Sequence, residues 1–122
     1  MVSRERAAAR IVELLDAPFL RAITEPARLE VLRVLLVKGP SDVGEIADEL
    51  PQHRSVISRH LQTLEEAGIV RGVRDGRRRV YAIDGAAFIG GLERLLGETR
   101  TLAAICCPPS DLVPATRLRK RT

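Results

Sequence analysis

The sequence predicts a single, mainly α-helical domain carrying one β-hairpin in its second half. Three observations predict it. Apolar residues recur at helical spacing in five segments. Glycine and proline punctuate the chain between those segments. The stretch "IVRGVRDGRRRVYAID" sets Asp75-Gly76 between two runs rich in Val and Ile, the strongest short-range hairpin signal. A chain of 122 residues is long enough for one core and too short for two.

Residues 3–16 read as the first helix, with Ile11, Leu14, Leu15 and several alanines on one side. A second starts near Pro26, where the missing N–H costs nothing, and runs to about Val37. It is expected to bury Leu29, Leu32, Val34 or Leu35, and Leu36. "KGPS" then stops it, and Ser41 is a suitable cap for a third helix with Val43, Ile46, Ala47 and Leu50 inward. After Pro51 and a tight turn, "RSVISRHLQTLEEAG" gives a fourth helix with Ile57, Leu61 and Leu64 inward and Gly68 closing it. The hairpin follows. From Asp84 the helical pattern returns, and Phe88, Leu92, Leu95, Thr99, Leu102 and Cys106 form a heptad-like stripe suited to packing on another helix. Pro108 ends that helix and pushes Cys107 out of the helical region.

This order of elements is a winged helix-turn-helix with an extra helix at each end. Residues 1–107 form the domain, and 108–122, ending "RLRKRT", read as a flexible basic tail.

Composition narrows the partners. Hydrophobic content of 45% with 30% charge is that of a soluble globular chain, and no apolar run is long enough to span a bilayer. "MVSRERAAAR" lacks the apolar stretch of a secretory signal, so the expected location is the cytoplasm, where thiols stay reduced. Lys and Arg number 20 against 16 Asp and Glu, with arginines clustered in "RGVRDGRRR" and "RLRKR". Basic clusters point to a polyanion. With Phe 2, Tyr 1 and no Trp, base stacking on single strands is excluded and duplex DNA is the better fit.

A helix-turn-helix lays its second helix in the major groove. With Ile57, Leu61 and Leu64 inward, Arg54, Ser55, Ser58, Arg59 and Gln62 face outward. Arginine can grip guanine with two bonds, glutamine can pair adenine, and serine can serve phosphates or bases. A solvated helix face is the plain alternative. Around the tip of the hairpin stand Arg71, Arg74, Arg77, Arg78 and Arg79, whose mutual repulsion a DNA backbone would relieve; contacts of this kind give affinity more than sequence choice. The two histidines, His53 and His60, have no second ligand beside them and are not expected to bind metal.

At this point "FLRAITEPARLEVLRVLL", "VGEIADELPQHRSVISRHLQTLEEAGIV" and "RDGRRRVYAI" together resemble the ArsR-type repressors, the bacterial arsenic/zinc-repressor family of winged helix-turn-helix proteins. The resemblance covers roughly residues 19 to 83. It implies a homodimer built on the first and last helices, an imperfect palindromic operator of double-stranded DNA, and an inducer that weakens DNA binding. It implies no obligatory cofactor. One family sensor type carries Cys-x-Cys at the start of the third helix, where this chain has Asp42 and Gly44. Another uses histidines of the last helix, and none follows His60. A third places adjacent cysteines at the end of the last helix to bind trivalent arsenic or antimony, and Cys106-Cys107 is similar to that arrangement.

The paired thiols therefore nominate As(III), Sb(III) or another soft metal ion as inducer, since thiolates are soft ligands. The related arrangement has a third cysteine, which this chain lacks. A redox pair, or two small apolar residues in a constitutive repressor, are the alternatives. An enzyme is not expected: no general base stands beside the thiols and no phosphate loop is present.

Overall fold

The computed structural model describes residues 3–112; the basic tail beyond them lies outside the described residues. The helices and strands fall into two compact units, Asp16–Glu93 and a second made of the chain's two ends, from Arg94 onward and up to Leu15.

The larger unit holds the helix-turn-helix and the hairpin. It opens with α2 (Pro18–Ala22), a five-residue helix that the sequence reading passed over, because so short a segment shows no period. Next, α3 (Pro26–Lys38) starts with Pro26 at its first position, and the Glu25 side chain accepts the Ala27 N–H at 3.3 Å. It buries Val31, Leu32, Val34 and Leu35. The expected burial of Leu29 and Leu36 is wrong: they are 43% and 69% exposed. The run "LEVLRVLLV" is apolar almost all round, so spacing alone could not choose the inward face.

Helix α4 (Val43–Ala47) is capped by Asp42, not by Ser41 as expected. Asp42 Oδ1 accepts the Glu45 N–H at 2.8 Å, and Glu45 Oε1 accepts the Asp42 N–H at 3.2 Å, a reciprocal box. Ser41 is instead buried, and its backbone exchanges two hydrogen bonds with Tyr81 at 3.0 and 2.8 Å. Helix α5 (Arg54–Glu66) fully buries Ile57, Leu61 and Leu64, as predicted, and Gly68 follows at φ +79.

Strands β1 (Val70–Asp75) and β2 (Arg78–Ile83) pair antiparallel, with Val70 opposite Ile83 and Asp75 opposite Arg78. The two-residue loop is thus Gly76-Arg77 rather than Asp75-Gly76. Only Gly76 takes a positive φ, +62, the first-position glycine of a type II′ hairpin turn. Val70 and Tyr81 join the buried core with the residues of α3, α4 and α5, and Ile83 packs against it.

Helix α6 (Gly85–Cys106) is the one helix that both units share. Asp84 Oδ1 accepts the Ala87 N–H at 3.1 Å at its start, and Phe88 packs on Phe19 with ring centroids 5.9 Å apart. Of the predicted stripe, Phe88, Leu95, Thr99 and Leu102 are half-buried, and Leu92 is exposed. An exposed apolar row runs beside them: Ile89, Leu92 and Leu96 are 55%, 41% and 51% exposed.

In the smaller unit, α1 (Arg4–Leu15) buries Ala7 and Leu14. Ile11 is half-buried, whereas Leu15, expected inward, is exposed. Arg10 reaches Glu98 of α6 at 3.1 Å, and Arg4 pairs with Asp111. The segment after α6 begins not as a loose tail but as a 3-10 turn, Pro109–Asp111, which that ion pair ties to α1. Among the described residues no helix is long and apolar enough to cross a membrane.

Candidate nucleic-acid interface and thiol pair

Burying Ile57, Leu61 and Leu64 leaves the opposite face of α5 in solvent. Arg54, Ser55, Ser58, Arg59 and Gln62 are all exposed there. His53 caps the helix: its Nδ1 accepts the Ser55 N–H at 3.1 Å and lies 3.0 Å from Ser55 Oγ. That role was not legible in the sequence, because histidine is an uncommon cap. Gln62 Nε2 donates to Glu66 at 3.4 Å. Arg54 folds back over α4, where a Cβ on Gly44 would sit 3.0 Å from its Nη2. His60 is half-buried. Its desolvation, then the charge of Arg28, hold its pKa below the usual histidine value.

The hairpin arginines divide into two groups. Arg74 and Arg77 are exposed near the turn and have no carboxylate within ion-pair distance among the described residues. Arg71 is also exposed, but it pairs with Ala82 at the base of the hairpin, not its tip. Arg78 and Arg79 are engaged. Arg78 Nε lies 2.9 Å from Asp42 Oδ2, and its Nη2 pairs with Glu45. Arg79 Nη2 lies 2.8 Å from Glu65 Oε2 and its guanidinium 5.7 Å from the centre of the Tyr81 ring. The repulsion expected among five arginines is therefore partly relieved by the protein's own carboxylates. The Glu65 hydrogen bond and charge raise the Arg79 pKa. The Asp42 carboxyl is held below its usual value by its bond from Glu45, then by the charge of Arg78. Asp42, Glu45 and Glu65 were missed because their pairing joins elements far apart in sequence.

At the other end of the chain, Cys106 is buried, Cys107 is exposed, and their sulfurs lie 3.6 Å apart. Cys106, the last residue of the stripe expected to pack on another helix, is only 8% exposed. Burial, then the neighbouring thiol, push its pKa up. Two thiolates about 2.3 Å from one ion would span 3.6 Å at an angle of about 100° at the ion. The pair thus fits a pyramidal or tetrahedral ion and not a linear one. Among the described residues, no three His, Cys, Asp or Glu side chains converge on one point.

The pattern of a helix-turn-helix domain matches residues 23–73, which run from just after α2 to the middle of β1. The chain is 37% identical over 67 residues to an uncharacterized HTH-type transcriptional regulator of Methanocaldococcus jannaschii, covering 55% of this chain and 75% of that one. An ArsR-like transcriptional regulator from Rhodococcus sp. RHA1 superposes with a TM-score of 0.60 at 30% identity, over 85% of this chain and 99% of that one. The chain belongs to the ArsR family of helix-turn-helix transcriptional regulators. It is a family of DNA-binding proteins, not of enzymes. A protein of Streptomyces lividans named "probable mercury resistance operon repressor" is 30% identical over 93 residues, covering 75% of this ArsR-family chain and 74% of that one. A winged helix-turn-helix domain from Mycobacterium bovis, described as homodimeric, matches with a TM-score of 0.52 at 25% identity, over 83% of this chain and 91% of that one. Several Mycobacterium tuberculosis relatives are matched over only about half of their length.

Proposed function

We propose that this ArsR-family regulator is a homodimeric repressor that lays the exposed face of α5 in the major groove of an imperfect palindrome. The single observation that carries the DNA-binding face is the division of α5. Ile57, Leu61 and Leu64 are fully buried, while Arg54, Ser55, Ser58, Arg59 and Gln62 stand together in solvent beside a basic hairpin. Donors of this kind at the start of a helix suit base edges and phosphates. Dimerisation is supported by the exposed row Ile89, Leu92 and Leu96 on α6, by exposed Val12 and Leu15 on α1, and by the homodimeric relative from M. bovis.

The inducer in this reading is a thiophilic metalloid or metal, arsenite or antimonite first, held by Cys106 and Cys107. Each thiol gives its proton to a hydroxide of the metalloid, which leaves as water while a sulfur bond forms. The sulfur separation of 3.6 Å and the mercury-repressor relative support it. A third ligand would come from solvent or from the partner subunit.

Fluorescence anisotropy with the gene's own upstream region and fully reduced protein tests both halves. Arsenite should release wild-type protein and leave a Cys106→Ser/Cys107→Ser variant bound. If arsenite, cadmium and mercury all leave the wild-type complex intact, the metal inducer is lost and the DNA-binding half stands alone.

A further inference from the structure

Arg79 takes a route across a position that carries no side chain. Its guanidinium crosses the face of β1 at Gly72, where a Cβ would stand 2.6 Å from Arg79 Nε and 2.9 Å from Cζ. Beyond Gly72 it ends on Glu65, and the same carboxylate oxygen accepts the Gly72 N–H at 3.1 Å. Tyr81 lines the path. A missing side chain, a carboxylate on α5, a strand N–H and an aromatic ring thus converge on one arginine. Arg78 is held in a parallel way by both members of the box that caps α4, Asp42 and Glu45. The register sets Arg74 directly opposite Arg79, and like charges so placed destabilise a hairpin. Glu65 neutralises Arg79 and leaves Arg74 available.

We propose that Arg78 and Arg79 are positioning residues that fix the wing against α4 and α5, and that Arg74 and Arg77 make the wing's phosphate contacts. The proposal rests on the DNA-binding reading above and narrows it. A phosphate would have to share Arg78 with two carboxylates, or Arg79 with Glu65, and would meet a charge already largely neutralised. Arg74 and Arg77 carry no such competitor. The wing then delivers fewer phosphate contacts than its arginine count, at a fixed distance from α5.

The test measures anisotropy on the upstream DNA across a salt series for Arg74→Gln, Arg77→Gln, Arg78→Gln, Arg79→Gln and Glu65→Gln. Each protomer loses one phosphate contact in Arg74→Gln or Arg77→Gln, which lowers the magnitude of the log–log salt slope by about 0.9 per contact. Arg78→Gln and Arg79→Gln weaken binding with the slope unchanged. Glu65→Gln weakens binding as Arg79→Gln does, and the double variant is no weaker than either single one. The opposite sign overturns the idea: if Arg79 grips phosphate, removing the Glu65 charge strengthens binding and Arg79→Gln lowers the slope.

Hydrogen exchange on the DNA-free protein reads the positioning directly. Arg79→Gln and Glu65→Gln speed exchange of the hairpin amides by a common factor, whereas Arg77→Gln does not. Unchanged exchange in the first two overturns the positioning role. Wild-type protein that shows no salt-dependent DNA binding would overturn the phosphate half along with the DNA reading, and exchange would then decide the positioning half alone.

Discussion

Ile57→Ala and Ser58→Ala are adjacent substitutions on α5 with opposite expected consequences. Ile57 is 0% exposed and belongs to the core that joins α3, α4, α5 and the hairpin. Truncating it to alanine removes three carbons, about 2.4 kcal/mol at about 0.8 kcal/mol per buried methylene. A cavity in a core that relaxes only partly brings the cost to about 3–4 kcal/mol. For a unit of this size, each kcal/mol moves the midpoint by about 4–8 °C, so a fall of about 12–30 °C is expected. Ser58 is exposed one position on, and Ser58→Ala should stay within about 0.5 kcal/mol of wild type. It should nevertheless weaken DNA binding by about fivefold, the worth of one hydrogen bond of roughly 1 kcal/mol. Thermal unfolding by circular dichroism at one fixed protein concentration gives the first pair of numbers. Anisotropy, at a temperature where both variants are folded, gives the second. A cost under about 1 kcal/mol for Ile57→Ala, or over that for Ser58→Ala, would mean that α5 presents a different face.

Acid should destabilise the protein partly through Asp42, whose carboxyl sits below the ordinary 3.8 because of its bond from Glu45 and then Arg78. Its contribution is present above that value and is lost as pH falls through the lower, folded one, so Asp42→Asn should flatten this part of an acid-unfolding profile. His60 works from the other direction. Burial, then Arg28, lower its pKa, so the unfolded chain takes up the proton first as pH drops below about 6.5. Stability should therefore fall from that pH down to the folded value and then level off, and His60→Gln should remove this step from a urea-unfolding series. Arg28 Nη1 donates to the carbonyls of Arg21 and Ala22 at the end of α2, at 3.2 and 3.3 Å. Arg28→Met takes this donor from the Ala22 carbonyl, while the Arg21 carbonyl still accepts from Thr24, and should cost about 1 kcal/mol by chemical denaturation.

The order of the longer elements was legible because each carries its own local signal. α5 announces itself by one clean apolar row, the hairpin by Val and Ile around a glycine turn, and α3 by Pro26 at its start. What stayed hidden depended on partners distant in sequence. Ser41 looked like a cap until Tyr81 claimed its backbone for a strand-like bridge. Leu29 and Leu36 looked buried because α3 is apolar on more than one side, and only tertiary packing selects Val31 in their place. The candidate interface divides in the same way. The exposed face of α5 follows from which residues are buried, so its five members were readable. Arg78 and Arg79 were grouped with Arg74 and Arg77 because sequence shows charges but not which carboxylates fold onto them.

The thiol pair poses an energetic question that the packing of its own unit answers in part. Cys106, Ala7 and Leu14 are the buried residues among the described part of that unit, and the Cys106 pKa is raised by that burial. In the proposed reading, an ion that binds both sulfurs must deprotonate a thiol the fold keeps neutral and reach it where only 8% of the residue is exposed. Binding at Cys106 in that reading competes with the packing that buries it, so an inducer favours whichever state loosens that packing. A tenfold release of DNA needs a difference of only about 1.4 kcal/mol between the two states, less than the cost of disturbing one well-packed buried side chain. A buried cysteine beside an exposed one is suited to this task, since two exposed thiols would bind the ion without changing any packing.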